Sequence, residues 1–240
     1  MEQFKVADYY DDIYDVLEKD YGMEAALVGD LLQSHALPVK TVLDVGCGTG
    51  RHAKILKDRF GFDMTGVDID ADMIAVAKAS DASIPYHVGD MRSFDTGVQY
   101  DAVICMFNTI NNATSADDMV ATLRNFSRHL KPGGMLIVEP WLTPETFEVG
   151  RVFTDIAKRG DVHVCRMTTS AISGNISTLY SKWLVGQEGA FQTGDEVIHL
   201  SVFSVPEMLD FFRVSGFSAK YDPMAGCFGT RGLYIAAKQI

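Results

Sequence analysis

The run Thr41-Val42-Leu43-Asp44-Val45-Gly46-Cys47-Gly48-Thr49-Gly50 constrains this chain more than any other stretch. β-Favouring residues up to Val45 lead into three glycines at alternate positions, and a helical pattern begins at Arg51. That order is a buried strand, a glycine-rich turn and a helix. Glycine turns the backbone at positive φ and lets a ligand approach where a Cβ would stand, so the turn can wrap a small molecule at the mouth of a parallel sheet. A plain tight strand-to-helix turn also fits the triplet, and the residues downstream decide between the two.

The spacing narrows the ligand. A dinucleotide fingerprint is G-x-G-x-x-G, whereas Gly46, Gly48 and Gly50 give G-x-G-x-G preceded by Asp44. This argues against a nicotinamide-dependent oxidoreductase. The pattern resembles the first motif of the class I S-adenosylmethionine-dependent methyltransferases, whose glycine loop accommodates the amino-acid and ribose part of the cofactor.

Before this stretch, residues 6–36 read as two helices, the first carrying Val6, Tyr9, Tyr10, Ile13, Tyr14 and Leu17 at helical spacing. Such a stripe suits a core, yet tyrosines interleaved with acids are polar for a helix that only packs. From Thr41 onward, strands over residues 41–45, 63–67, 85–88, 100–106 and 135–139 alternate with helices, which predicts a parallel sheet with right-handed crossovers. Lys131-Pro132-Gly133-Gly134 reads as a turn into the fifth strand. After Pro140 the rhythm changes: runs over 163–167 and 176–185 predict a hairpin through Ser173-Gly174-Asn175, with a third run over 196–203. These form either a cap or an edge meander. A helix over 206–214 and strands over 217–221 and 232–237 complete the chain.

A net charge of −11 without any Lys/Arg cluster argues against a nucleic-acid partner. No apolar run approaches the about 20 residues that span a bilayer, and the first residues lack the basic-then-apolar order of a leader. Cys47, Cys105, Cys165 and Cys227 stand apart, without C-x-x-C or zinc spacing, which predicts a reduced, cytoplasmic protein and no metal.

Ligands of open α/β sheets bind beyond the carboxyl ends of the strands. Asp68, ending the second strand, can accept two hydrogen bonds from vicinal ribose hydroxyls or cap the next helix, for which Asp70 is better placed. The methyltransferase resemblance extends to Gly89-Asp90-Met91-Arg92 and to Cys105-Met106-Phe107-Asn108. It implies that Asp90 lies by the adenine amino group, that Met91 packs near the ring, and that backbone carbonyls around Met106 receive the cofactor's ammonium. Ile69, Met73 and Tyr14 join the glycines, Asp44 and Asp68 in the cofactor set that this resemblance implies.

Tyr10-Asp11-x-x-Tyr14, Lys19-Asp20-Tyr21, Arg128-His129-Leu130-x-Pro132-Gly133-Gly134, Val138-Glu139-Pro140-Trp141 and Arg231-Gly232-Leu233 carry the resemblance across nearly the whole chain. Together they look like the amino-sugar N,N-dimethyltransferases of macrolide antibiotic pathways, which dimethylate the 3-amino group of a dTDP-linked deoxysugar. The resemblance implies an α/β fold: a Rossmann-like seven-stranded sheet with its last strand antiparallel and an inserted antiparallel β cap. It divides the chain into N-terminal helices over 1–40 that close over the cofactor, a cofactor-binding core over 41–145 and 204–240, and a cap over 146–203. It further implies S-adenosyl-L-methionine as cofactor, S-adenosyl-L-homocysteine as product, a small-molecule acceptor such as a dTDP- or UDP-linked amino sugar, and often a homodimer.

One departure matters. Where that family carries a histidine shortly after the fourth strand, this chain has Asn108-Thr109-Ile110-Asn111-Asn112, and Asn112 cannot act as a base near neutral pH. Two residues are therefore the catalytic candidates: Tyr14, matching the family tyrosine, to orient the acceptor, and His199 as a base. Glu139, Trp141 and Asn112 are candidate acceptor contacts. Arg231 is the candidate for an anionic group such as a diphosphate, or else an exposed cation in a surface salt bridge. Methylation of another natural product at oxygen or nitrogen, and a non-catalytic S-adenosylmethionine-binding subunit, are the competing readings.

Overall fold

The computed structural model describes residues 4–17, 19–225 and 231–239. Its larger sheet has seven strands in the order β10-β11-β5-β4-β1-β2-β3. β1 (Thr41–Val45), β2 (Asp63–Asp68), β3 (Tyr86–Val88), β4 (Tyr100–Cys105) and β5 (Leu130–Val138) run parallel, and β11 (Leu233–Lys238) enters antiparallel between β5 and β10 (Phe217–Asp222). The order reverses between β1 and β4, which places the crevice of a doubly wound sheet at the end of the glycine stretch.

β1 shows why the sequence fits a central strand. Val42 packs into one buried layer with α2 (Tyr21–Gln33), α3 (Arg51–Phe60) and α4 (Ala71–Ser80), while Leu43 and Val45 join α5 (Ala116–His129) and α6 (Val205–Val214) on the other face. A strand covered on both sides favours apolar residues on both faces, because successive side chains alternate between them, and Asp44 is the buried exception in β1. Ser115 caps α5 by accepting the Asp118 N–H at 3.1 Å, as the sequence predicts.

Two boundaries differ. Residues 131–134 lie within β5, and the pairing jumps from Tyr100–Leu130 to Ala102–Met135, so the expected turn is an irregularity in a longer strand. The region after Pro140 holds four strands, β6 (Val152–Arg159), β7 (Val162–Ser173), β8 (Ile176–Gln187) and β9 (Ala190–Ser201), in one antiparallel sheet. The expected hairpin at Gly174 is present, with φ of 59° at the first position of a two-residue loop that only glycine adopts easily. β6 escapes sequence reading because Asp155, Lys158 and Arg159 interrupt its apolar alternation.

The short α1 (Tyr10–Val16) lies against this second sheet, with Ile13 fully buried in a cluster with Ala157, Val164, Trp183 and Val185. The opposite face of the sheet leaves Ile156, Met167, Tyr180, Leu184 and Val197 exposed. Asn111, beyond β4, joins the two sheets: its amide donates to the Ser201 carbonyl at 2.9 Å and its oxygen accepts the Trp141 N–H at 2.8 Å. Cys47, Cys105 and Cys165 are free, and Cys227 lies outside the described residues. Among the described residues no helix is long and apolar enough to cross a membrane.

Candidate active site

A cavity of about 520 Å³ separates the two sheets, a size that suits a small-molecule ligand. Its floor is built from the carboxyl ends of β1, β2 and β4 through Gly46, Gly48, Asp68 and Met106, with Met73 from α4. Its roof is the inward face of the second sheet, and Tyr10, Tyr14 and Tyr21 close one side.

Backbone shape sets the floor. Gly46 has φ of 73°, and a Cβ there would stand 2.1 Å from Thr109 Cγ2, so no other residue fits. Gly48 opens onto the cavity with nothing within 4 Å of the space a Cβ would fill. Gly50 is turned away and packs against Tyr86 and Ala77. Asp68 accepts the Gly48 N–H at 2.8 Å and the Asp70 N–H at 2.9 Å, one on each oxygen, while Asp70 caps α4. A carboxylate has about four accepting positions, so Asp68 retains capacity for two hydroxyl donors. Burial raises its pKa, against the lowering effect of those N–H donors.

Asp44 stands in β1 just before this loop. It is buried, one oxygen has no hydrogen-bond partner, and burial, aided by Asp68 and opposed by His52, pushes its carboxyl up to about 7. Glu24 behaves oppositely. Burial alone would raise it, but hydrogen bonds from His52 at 2.9 Å and Lys19 at 2.6 Å hold it below the usual carboxylate range.

The end of β4 is strained. Phe107 and Asn108 have φ of 52° and 55°, left-handed values that cost roughly 1–3 kcal/mol per non-glycine residue. Glu139 holds the turn by accepting the Phe107 N–H at 2.6 Å, and its other oxygen lies 2.6 Å from Arg231 Nη2 in a charge contact whose N–H groups are not aligned with it. Lys19 lies 3.9 Å from the centre of the Phe107 ring and Arg231 5.4 Å, and Tyr14 meets the ring edge-on at 4.9 Å. Tyr14 also accepts from Arg166 Nη1 at 3.2 Å, and Arg166 donates to Asp155 at 2.7 and 2.9 Å.

The structure brings Tyr14, Gly46, Gly48, Asp68, Met73, Met106, Asn112, Trp141 and Arg231 together around the cavity. It leaves others out. Ile69 is 68% exposed and is not among the cavity's lining residues. Asp90 and Met91 stand outside the lining, and the Asp90 carboxylate is clasped by Arg92 at 2.6–3.1 Å. Glu139 is wholly buried, stands outside the lining and braces Phe107 and Arg231.

His199 requires the clearest correction. Glu196, Ile198 and Leu200 line the cavity, so alternation along β9 puts His199 on the outer face, where it pairs with Thr178 at 3.0 Å. Sequence reading missed Tyr10, Tyr21, Arg166, Trp183 and Glu196. The tyrosine stripe and the family-like segments Tyr10-Asp11-x-x-Tyr14 and Lys19-Asp20-Tyr21 signalled the two tyrosines beforehand; the others depend on which face of the second sheet turns inward.

A family profile for a methyltransferase domain matches residues 42–134. The chain is 33% identical over 230 residues to the dTDP-3-amino-3,4,6-trideoxy-alpha-D-glucopyranose N,N-dimethyltransferase of Streptomyces venezuelae, covering 95% of this chain and 96% of that protein. The chain belongs to the S-adenosylmethionine-dependent sugar N-methyltransferase family. Solved structures of the family agree: DesVI of Streptomyces venezuelae superposes with a TM-score of 0.90 at 31% identity, covering all of both chains. CalS10 of Micromonospora echinaspora, an amino pentose methyltransferase solved with S-adenosylmethionine bound, superposes with a TM-score of 0.84 at 32% identity over 100% of this chain and 99% of that one. As in any methyltransferase of this family, the cofactor is S-adenosylmethionine. The site suits it through the space above Gly48, the free accepting positions of Asp68, and aromatic faces that favour a sulfonium cation.

Proposed function

We propose that this enzyme N-methylates the amino group of a nucleotide-linked amino sugar. The observation that carries this reading is that the likeness to the dTDP-amino-sugar enzymes spans the cap as well as the cofactor core. Acceptor specificity belongs to the site, not to the fold. When bound, S-adenosylmethionine supplies an electrophilic methyl group, and the chain's own task is to hold a nitrogen lone pair behind it and exclude water. Such positioning is worth roughly 7–11 kcal/mol of a barrier.

Each side chain then has a part. Asp68 and Met73 hold the nucleoside end of the cofactor over the glycine loop, and the N-terminal helices over 1–40 close on it through Tyr10 and Tyr14. Arg166 can only donate to Tyr14, so the Tyr14 hydroxyl is left to meet the acceptor. Arg231, in the wall and partly balanced by Glu139, offers a cation to the diphosphate. Trp141, Phe153, Arg166 and Leu179 are shared with a second cavity of about 730 Å³, so an elongated acceptor has room to run from one into the other.

Mass spectrometry of the enzyme with S-adenosylmethionine and dTDP- or UDP-amino sugars tests the reading, with phenols and simple amines as controls. A gain of one or two methyl groups on the sugar nucleotide, lost in Arg231→Ala, supports it; methylation of the controls alone refutes it. We further infer a homodimer that buries the exposed face around Ile156, Met167 and Tyr180, and sedimentation of Met167→Glu as a monomer is its check.

A further inference from the structure

The roof of the cavity carries one carboxylate that the reading above does not use. Glu196 projects inward from β9 between Ile198 and the start of the strand, and its Oε2 accepts the indole N–H of Trp183 at 3.1 Å. The groups facing it are Tyr10 from α1, Arg166 from β7 and Trp183 from β8, with Asp155 of β6 behind Arg166. Arg166 is already committed to Asp155 at 2.7 Å, and among the described residues Glu196 has no ion-pair partner. A half-buried carboxylate whose nearest cation, Arg166, is already paired with Asp155 is costly unless a ligand brings a further cation.

An amino sugar near neutral pH supplies such a cation, and that cation must lose a proton before its lone pair can attack. We propose that Glu196 is the catalytic group that receives the ammonium of the acceptor and takes its proton, the task left vacant by Asn112 and by the outward-facing His199. This rests on the amine reading of the acceptor. The proton passes from nitrogen to a Glu196 oxygen, the N–C bond forms as the S–C bond breaks with its electron pair left on sulfur, and Glu196 then releases the proton to solvent. Trp183 holds the carboxylate in place. Burial raises the pKa of Glu196, opposed by Trp183 and Arg166, which brings it closer to that of an amine and makes it a better proton acceptor.

The test compares Glu196→Gln, Glu196→Asp and wild type on a dTDP-3-amino sugar. Rates of methyl transfer are followed from about pH 6.5 to about 9.5, and S-adenosylhomocysteine affinity reports an intact core. Glutamine still accepts the Trp183 N–H, so shape is kept while the proton acceptor is lost. We expect Glu196→Gln to lower kcat/KM by about 100-fold near neutrality and the deficit to shrink as the amine deprotonates by itself. Glu196→Asp is expected to keep the wild-type shape of the pH profile at a lower rate, with cofactor affinity in both variants within about twofold. Profiles of wild type and Glu196→Gln that stay parallel across the range, whatever their offset, overturn the assignment alone. Wild type that methylates hydroxyl acceptors and no amine overturns the assignment together with the amine reading.

Discussion

The two sheets furnish the same cavity in different ways. The seven-stranded sheet offers loops at strand ends, where Gly46 and Gly48 shape the backbone and Asp68 is fixed by two backbone N–H groups. The four-stranded sheet offers side chains from strand interiors: Arg166, Trp183 and Glu196, each held by another side chain. A site set by backbone geometry tolerates little change and suits a constant cofactor. A site set by alternate side chains can be rebuilt one residue at a time, which suits acceptors that differ between relatives.

The largest effect that would break this contrast is on the floor. Gly46→Ala must place a Cβ 2.1 Å from Thr109 Cγ2 at φ of 73°, and we expect S-adenosylhomocysteine affinity to fall by more than about 100-fold in calorimetry. Affinity within about threefold of wild type would show that the loop geometry does not set the cofactor site.

Arg166→Ala probes the roof. It leaves Asp155 buried without its cation, and loss of one partner from such a pair costs about 3–5 kcal/mol. Thermal unfolding should report a marked fall in Tm, with cofactor affinity changed far less than in Gly46→Ala. An unchanged Tm would mean that the cap does not rely on that pair.

Asp44 sharpens the contrast through pH. Its folded pKa of about 7 lies above the unfolded value near 3.9, so between these values the folded state retains a proton that the unfolded state has released. The contribution of Asp44 to stability is fully present below the unfolded value and is lost as pH rises through about 7. Asp44→Asn should flatten the pH dependence of Tm between about pH 5 and 8, removing a fall in stability of about 2–3 kcal/mol across that window. An identical slope in the variant would assign the pH dependence elsewhere.

The smallest effect is expected from His199→Ala. The residue is on the outer face of β9, and kcat/KM should stay within about twofold of wild type. A tenfold loss would put the wrong face of β9 in the cavity.

These contrasts explain how much the sequence revealed. β1, the glycine loop and Asp70 as the cap of α4 were legible because backbone demands leave glycine, Asp or an apolar run at fixed positions, whereas the antiparallel last strand followed only from the family resemblance. The cap was legible as strands but not as faces. A one-residue change of parity separates Glu196 from Val197 and Ile198 from His199, and only pairing against β8 settles which side meets the cavity. Glu139 misled for another reason: its partners, Phe107 and Arg231, come from distant segments, so nothing local marks it as a brace.

A crystal structure with S-adenosylhomocysteine and a dTDP-3-amino sugar bound tests the division of labour most directly. The expected structure has the cofactor's ribose on Asp68 above Gly48, with the sugar nitrogen between the sulfur and the roof, within hydrogen-bond reach of Tyr14 and Glu196. A sugar nitrogen lodged beyond Trp141 in the second cavity, away from both side chains, would contradict it.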